Sequence, residues 1–337
     1  MIRVQHRLGT YPVCFVSNDQ VFAGFTDQDI TVTDSNLVSC YPDLIPRDNR
    51  IIIEAGEKSK NLAVYESVCQ QLHRARANRK SRIFAFGGGV VGDLAGFVSA
   101  TYMRGVELVQ VPTSLLAMVD SSVGGKVGID TEYGKNLLGS FWPPSEVRIS
   151  VDTLNTLPER EFVNGMAEVW KYGFIGNRPL LEHLPVSPGE PIREIIQACV
   201  KQKAEVVQAD EFETNGLRAT LNFGHTIGHA IEAVAGYGTI LHGEAIAIGM
   251  VLETRLGETL DITKAGVAEV VKSKLEAQGL PVDLPKHLNP DDLIASMKGD
   301  KKVSGRNLAF SLLEDVAVCK LYEDVPENAV RQVLESC

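Results

Sequence analysis

The sequence predicts an α/β N-terminal domain with a mostly parallel sheet, an all-α C-terminal domain, and an active site in the cleft between them. Three observations predict this. Short apolar runs alternate with helical stretches through the first half. A glycine-rich loop separates one such run from the stretch that follows it. Beyond Pro158 the pattern becomes helical, broken by Gly and Pro clusters. The domains are expected at 1–158 and 159–337, and 337 residues suffice for two cores.

In chain order, Ile51-Ile52-Ile53, Ile83-Phe84-Ala85-Phe86 and Leu108-Val109-Gln110-Val111 read as buried strands. Residues 62–77 between the first two have helical periodicity. Trp142-Pro143-Pro144 and Leu157-Pro158 bracket the junction. Pro158 followed by Glu159 and Glu161 fits a helix start, where acid meets the positive end of the dipole. Helices are expected over 159–174, 192–209, 223–235, 243–260 and 264–278, and short strands over 308–313 and 316–321.

Composition narrows the function. No apolar run approaches the roughly 18 residues of a membrane span, and the start lacks a secretory apolar stretch, so the cytoplasm is the expected location. With 33 basic and 43 acidic residues, net −10, nucleic acid is excluded as a partner, although a small anion could use a locally basic pocket. The six cysteines are scattered without a CxxC pair and read as reduced thiols.

In Gly87-Gly88-Gly89-Val90-Val91-Gly92-Asp93, three glycines satisfy G-x-G-x-x-G after a strand and before the helical run 94–100. Glycine lets backbone approach a pyrophosphate, and the helix start offers free N–H groups. The sheet is therefore expected to be Rossmann-like and to bind a dinucleotide. Alone, the motif also fits a tight strand–helix turn, and the acid usual about 20 residues later is missing, since Glu107 comes early. The run from Asp120 to Lys126 fails as a phosphate-binding Walker loop, because its first Gly is absent and Val127 stands where Ser or Thr would bind magnesium. Lys126 remains either an anion anchor or a surface lysine.

The helical half carries polar side chains on apolar faces. His225, His229 and Glu232 fall at i, i+4 and i+7, a spacing that can present two ligands to a metal. His242-Gly243-Glu244 opens the next helix. Glu168 and Lys171 lie three apart on a mostly apolar helix, either as a solvated ion pair or as a functional one. Lys203 lies on the stripe Ile196, Cys199, Val200, Lys203 and Val207, where a lysine is costly unless paired. One Glu and two His from three helices would make a three-ligand catalytic zinc site with open positions. With a dinucleotide, that site implies oxidation of an alcohol.

At these residues the chain resembles the 3-dehydroquinate synthases of the sugar-phosphate cyclase family. The matching stretches include Gly56-Glu57-Lys58-Ser59-Lys60, Gly87 to Asp93, Tyr102-Met103-Arg104-Gly105, Val111-Pro112-Thr113-Ser114-Leu115-Leu116 and Gly134-Lys135-Asn136-Leu137. They continue with Lys203-Ala204-Glu205-Val206-Val207, Gly216-Leu217-Arg218, Asn222-Phe223-Gly224-His225-Thr226-Ile227-Gly228-His229, Leu241-His242-Gly243-Glu244 and Asp300-Lys301-Lys302. The resemblance runs from about residue 50 to the end.

It implies a homodimer using NAD and Zn2+, or Co2+, that converts 3-deoxy-D-arabino-heptulosonate 7-phosphate to 3-dehydroquinate and phosphate in the shikimate pathway. NAD would transiently oxidise a hydroxyl, phosphate would leave, the ketone would be reduced again, and an aldol step would close the ring. By the same resemblance Glu168, His225 and His242 bind the metal, while His229 carries protons. Gly89, Val90, Val91, Gly92 and Asp93 receive the pyrophosphate, with Asp120 near the nicotinamide. Glu57, Lys60, Thr113, Ser114, Lys126, Lys135, Thr153, Leu154, Asn155 and Thr156 complete the NAD site. Lys126, Asn136, Lys171, Lys203, Arg218, Asn222 and Lys301 (or Lys302) hold substrate, and Arg104 reaches the phosphate from the partner subunit.

The chain departs from the family pattern in places. The stretch 34–51 is short, so a helix and a strand usual in the family are expected to be reduced or missing, which bears on the outer edge of the sheet. Asn215 is an insertion, and Met118, Val127 and Asp130 replace the usual Gln, Thr and Asn. Rival readings are a cyclase of 2-deoxy-scyllo-inosose or 2-epi-5-epi-valiolone type, a glycerol-dehydrogenase-like alcohol dehydrogenase, and a metal-binding regulator without activity.

Overall fold

The computed structural model describes residues 1–7, 9–213, 216–236, 238–300 and 308–336. Two compact units organise the chain: Met1–Phe162 with Ile192–Gln208, and Val163–Pro191 with Ala209–Cys337.

The first unit contains strands β1 (Ile2–His6), β2 (Gly9–Phe15) and β3 (Ile30–Asp34), helix α1 (Ser35–Cys40), strand β4 (Arg50–Ile53) and helix α2 (Leu62–Arg74). It continues with β5 (Arg82–Gly87), α3 (Gly89–Thr101), β6 (Glu107–Pro112), the hairpin β7 (Lys126–Thr131) and β8 (Gly134–Phe141), and β9 (Glu146–Ile149). Seven strands form one sheet in the order β1-β2-β9-β6-β5-β3-β4. Only β1 and β2 pair antiparallel; the other neighbours are parallel.

Two of the expected strands, β5 and β6, sit inside the sheet because they are buried on both faces, whereas the third, β4, is an edge strand whose Ile52 is exposed, which corrects the expectation of a buried strand at 51–53. In β5, Ile83 and Ala85 pack into one core with Val68, Leu72 and Leu94. Phe84 and Phe86, pointing the opposite way, pack with Val109 and Val111 in a second. The shortened stretch 34–51 retains a six-residue helix, α1, and β4 pairs with β3 in four-residue register, so the edge strand is present.

Helix α4 (Glu159–Ile175) crosses from the first unit into the second, and α5 (Arg193–Ala209) packs almost wholly in the first. The second unit then contains α6 (His225–Ala235), α7 (His242–Thr259), α8 (Val267–Ala277), α9 (Pro290–Asp300), strands β10 (Leu308–Asp315) and β11 (Val318–Val325), and α10 (Glu327–Glu335). The short strands expected near 308–313 and 316–321 form the antiparallel hairpin β10–β11, an addition to an otherwise helical half. Phe310, Leu312 and Val325 of the hairpin share a core with Ile231, Leu252 and Val330 of the helices. The hairpin is therefore part of the packing.

Candidate active site

In the first unit, the expected dinucleotide residues follow the carboxyl ends of parallel strands. Glu57 and Lys60 follow β4, Gly89 to Asp93 follow β5, Thr113, Ser114 and Asp120 follow β6, and Thr153 to Thr156 follow β9. Open α/β sheets present ligands at that end, where strand order reverses. Here β3 connects outward to β4, whereas β5 connects the other way to β6.

The loop glycines act through close approach, since none of Gly87, Gly89 and Gly92 has a positive φ. A Cβ on Gly87 would lie 2.5 Å from Val91, and one on Gly92 would lie 2.9 Å from the Gln110 side chain of β6. Gln110 Nε2 also donates to the Gly92 carbonyl at 3.1 Å. The helix start is thereby pressed onto the sheet with its first N–H groups at the strand end.

Lys60 is buried and pairs with Asp93, just past the first turn of α3, at 2.6 Å. Burial lowers the ammonium's proton affinity, but Asp93 and Glu57 outweigh it and hold Lys60 above its ordinary value. Lys135 pairs with Glu57 at 3.4 Å. Lys203 on α5 is also buried, and its Nζ meets the Asp120 carboxylate at 2.9 Å and the Asp120 carbonyl at 2.8 Å. Asp120 sits in a π-helical turn, Ala117–Ser121, a form common at functional sites.

Two anchors of this region were missed in the sequence. Tyr41 donates to the Thr153 carbonyl at 3.1 Å, and its hydroxyl lies 2.6 Å from Thr156 Oγ1, tying down the turn after β9. Asp34 ends β3 beside β5 and caps α1, accepting from Leu37 N at 3.0 Å. An acidic side chain therefore stands upstream of the glycine loop, at the end of the strand beside β5. Strand adjacency, which the sequence pattern did not disclose, was the missing signal.

Lys126 begins β7 with an exposed side chain and is followed by strand, not helix, as the failed Walker match requires. Asn136 is exposed in β8 at φ +55°, and the Asp130 carboxylate accepts its N–H at 2.9 Å. Arg104 is exposed in a turn where it and Met103 both have positive φ (67° and 51°).

In the second unit, α4, α6 and α7 bring the expected ligands together. Oε1 of Glu168 lies 3.4 Å from Nε2 of His225 and 3.3 Å from Nε2 of His242. Ligands about 2.0–2.1 Å from a tetrahedral ion stand roughly 3.4 Å apart, so these two edges fit a zinc-sized cation. Nδ1 of His225 meets the Phe223 carbonyl at 3.1 Å, leaving its Nε2 lone pair for a cation.

Glu168 and Lys171 are both 1% exposed and form an ion pair, so they are not a solvated surface pair. Burial opposes the charged form of Glu168, yet Lys171 and the two imidazoles hold its carboxyl well below the usual range. Burial and Lys171 together press His225 down to about 4, which keeps its imidazole neutral.

Glycine permits the convergence. A Cβ on Gly243 would lie 1.9 Å from the Asn164 carbonyl oxygen, so α7 begins directly on the backbone of α4. Gly243 N donates to Asn164 Oδ1 at 2.5 Å, fixing that contact. Gly224, at φ +81°, moves the start of α6 from the expected 223 to His225, and Gly228 and Gly249 let α6 and α7 touch closely.

His229 lies beside this group, its ring centroid 5.2 Å from that of His225 and 5.9 Å from that of His242. Arg218 is buried at 2% exposure, its backbone N–H donating to Asp210 at 3.0 Å. Asn222 is half-buried two residues before Gly224. Lys301, Lys302 and Asn215 lie outside the described residues.

Residues 50–164 match the 3-dehydroquinate synthase N-terminal family, and residues 165–303 match the 3-dehydroquinate synthase C-terminal family. The chain belongs to the 3-dehydroquinate synthase family. A 3-dehydroquinate synthase of Acidithiobacillus ferrooxidans is 43% identical over 320 residues, covering 90% of this chain and 87% of its own. Another, of Opitutus terrae, is 43% identical and covers 94% and 93%.

Among solved structures, a 2-deoxy-scyllo-inosose synthase with carbaglucose-6-phosphate, NAD+ and Co2+ superposes at TM-score 0.87. It is 26% identical and covers 99% of both chains. A 2-epi-5-epi-valiolone synthase of Streptomyces hygroscopicus with NAD+ and Zn2+ gives 0.88 at 24% identity, covering 97% and 96%. A probable glycerol dehydrogenase of Sinorhizobium meliloti shares the fold at 0.62 and 18% identity, with 96% and 95% covered. Among the described residues, no helix is long and apolar enough to cross a membrane.

Proposed function

We propose that the chain is a 3-dehydroquinate synthase. It converts 3-deoxy-D-arabino-heptulosonate 7-phosphate to 3-dehydroquinate and phosphate, using NAD and Zn2+ or Co2+. The convergence of Glu168, His225 and His242 around a cation-sized space, with Lys171 behind the carboxylate, carries this reading. When bound, the cation would supply Lewis acidity for a substrate hydroxyl and NAD a reversible hydride acceptor, so that no net oxidation would result.

The chain's own groups do the rest. Glu168, His225 and His242 hold the cation, and Lys171 keeps Glu168 ionised. The N–H groups at Gly89 to Asp93 receive the pyrophosphate. Asp34 takes ribose hydroxyls, the usual task of an acid near that loop. Glu57, Lys60, Thr113, Ser114, Asp120, Lys135 and the turn Thr153 to Thr156 enclose the remainder of NAD. Lys126, Asn136, Lys203, Arg218, Asn222 and Lys301 orient a substrate bearing carboxylate and phosphate.

His229 moves protons at the reacting carbons. Arg104 serves the phosphate in the partner subunit of a homodimer. Exposed Met103, Leu137, Leu138 and Phe141 of the same unit support such an interface. We place the enzyme in the cytoplasm, a reducing compartment that suits its free cysteines.

The purified chain with NAD, Zn2+ and the heptulosonate phosphate is expected to release phosphate and 3-dehydroquinate in equal amounts, with no accumulation of NADH. Turnover of glucose 6-phosphate or sedoheptulose 7-phosphate, and none of the heptulosonate, would overturn the reading. Net NADH from a simple alcohol would point to a dehydrogenase.

A further inference from the structure

Glu232 has no part in the reaction above, yet it is only 3% exposed and faces the cation site. Its Oε2 lies 3.1 Å from Nδ1 of His242, the imidazole whose Nε2 faces Glu168 at 3.3 Å. A neutral imidazole carries its proton on one nitrogen and offers a lone pair on the other. A carboxylate at Nδ1 keeps the proton there, directs Nε2 toward the cation, locks ring rotation and makes the ring a stronger donor.

His225 is oriented differently, by the neutral Phe223 carbonyl. The two imidazoles therefore have unequal support, and His242 has the charged one. Its side chain is also the more exposed, 27% against 10%. That exposure leaves fewer packed neighbours to restrain the ring.

We propose that Glu232 is the positioning residue of the cation site, holding His242 as an Nε2 donor. This rests on the reading that Glu168, His225 and His242 bind the cation. His229, Glu232 and His242 form a competing group whose donor atoms also lie within 4.8 Å. In that arrangement Glu232 would itself be a ligand. The orientation of His242 favours the first group, because its Nε2 already points at Glu168 while its Nδ1 is engaged by Glu232.

The test loads wild type, E232Q, E232A and H225A with Co2+ and needs no turnover. Competition with a chromophoric chelator gives affinity, and the visible Co2+ spectrum reports ligand geometry. E232A is expected to bind 10–100-fold more weakly, the usual effect of losing an outer partner, with an altered spectrum. E232Q is expected to lose several-fold, because its amide oxygen still accepts the hydrogen bond but the charge is gone.

Should E232A fail to fold, E232Q alone decides. Wild-type affinity and spectrum in the variant that folds overturn the proposal. Loss of Co2+ in E232A with retention in H225A also overturns it and moves the cation to the His229–Glu232–His242 group. That relocation, like failure of wild type to bind Co2+, overturns the underlying site reading as well, whereas wild-type affinity and spectrum in the Glu232 variants overturn the proposal alone.

Discussion

Gly243→Ala tests whether backbone contact between two helices sets the geometry of the cation site. The added Cβ would stand 1.9 Å from the Asn164 carbonyl oxygen and 2.8 Å from its carbonyl carbon. Both atoms are backbone of α4, so no side chain can swing aside. Ordinary contact begins near 3.4 Å, so the start of α7 must retreat by about 1.5 Å. His242 is the neighbouring residue and retreats with it, away from Glu168.

Metal–ligand distances tolerate only about 0.2 Å. Cation affinity is therefore expected to fall at least as far as on loss of an outer partner, roughly 10–100-fold. Overpacking adds about 1–3 kcal/mol of destabilisation. Disturbing the Gly243–Asn164 hydrogen bond adds about 1 kcal/mol. Chelator competition with Co2+ measures the first effect, and thermal unfolding of the metal-free protein measures the second. Gly299→Ala is the control, because its Cβ would meet nothing within 4 Å. Gly243→Ala with wild-type Co2+ affinity and wild-type unfolding temperature would refute the reasoning.

Four further outcomes are expected. Lys171→Met strands the buried Glu168 carboxylate, costing about 3–5 kcal/mol, readable by urea unfolding of the metal-free protein; unchanged stability would contradict it. His242→Ala should abolish metal retention, whereas His229→Ala should keep metal and lose rate; equal metal loss in both, measured by elemental analysis, would overturn the division of roles. Tyr41→Phe removes the hydrogen bonds to Thr153 and Thr156 and should weaken NAD binding several-fold by calorimetry, with little change in unfolding temperature. Burial raises the Asp29 carboxyl, but Arg82 and Thr26 outweigh it and leave it below its usual value. Its stabilising contribution is therefore full above the unfolded value near 4 and lost as pH falls through the folded one. Asp29→Asn should thus be less stable than wild type at pH 7, with the difference shrinking in acid; a gap that widens there would reverse the sign.

The parts of the fold legible in the sequence are those whose surroundings are uniform. Strands β5 and β6 are buried on both faces, so a short run that is apolar throughout (Ile83 to Phe86) or broken only by Gln110 (Leu108 to Val111) sufficed to mark them. Strand β3 is equally buried but reads Ile-Thr-Val-Thr, and its threonines at 0% exposure disguise it as a polar segment. Strands β1, β2 and β9 are short or lie toward the polar edge, and the β7–β8 hairpin carries glycines and charges, so periodicity had little to grip.

The site divides in a similar way. Helical spacing placed His225, His229 and Glu232 on one face, but it could not assign them separate roles. Those depend on which neighbour each one meets: Glu168 for His225, and His242 for Glu232. The family resemblance separated the two histidines. The partnership of Glu232 with His242 became visible only once α6 and α7 were placed side by side.

The charge of the chain raises a last point about substrate choice. A net charge of −10 suits a protein that repels anions, yet the proposed substrate carries two anionic groups. The structure has no need of a broad positive patch, because its key cations are buried and already paired: Lys60 with Asp93, Lys203 with Asp120, and Lys171 with Glu168. A buried ammonium without a partner is costly, so such pairing keeps these lysines charged and in place before any ligand arrives. On the proposed reading, a substrate carboxylate must win Lys203 from Asp120 by exchange. A sugar phosphate without a carboxylate is anionic only at its phosphate and brings no carboxylate to that exchange. On that reading, the pairing that makes the lysine tolerable in an acidic protein reserves it for a substrate that carries a carboxylate.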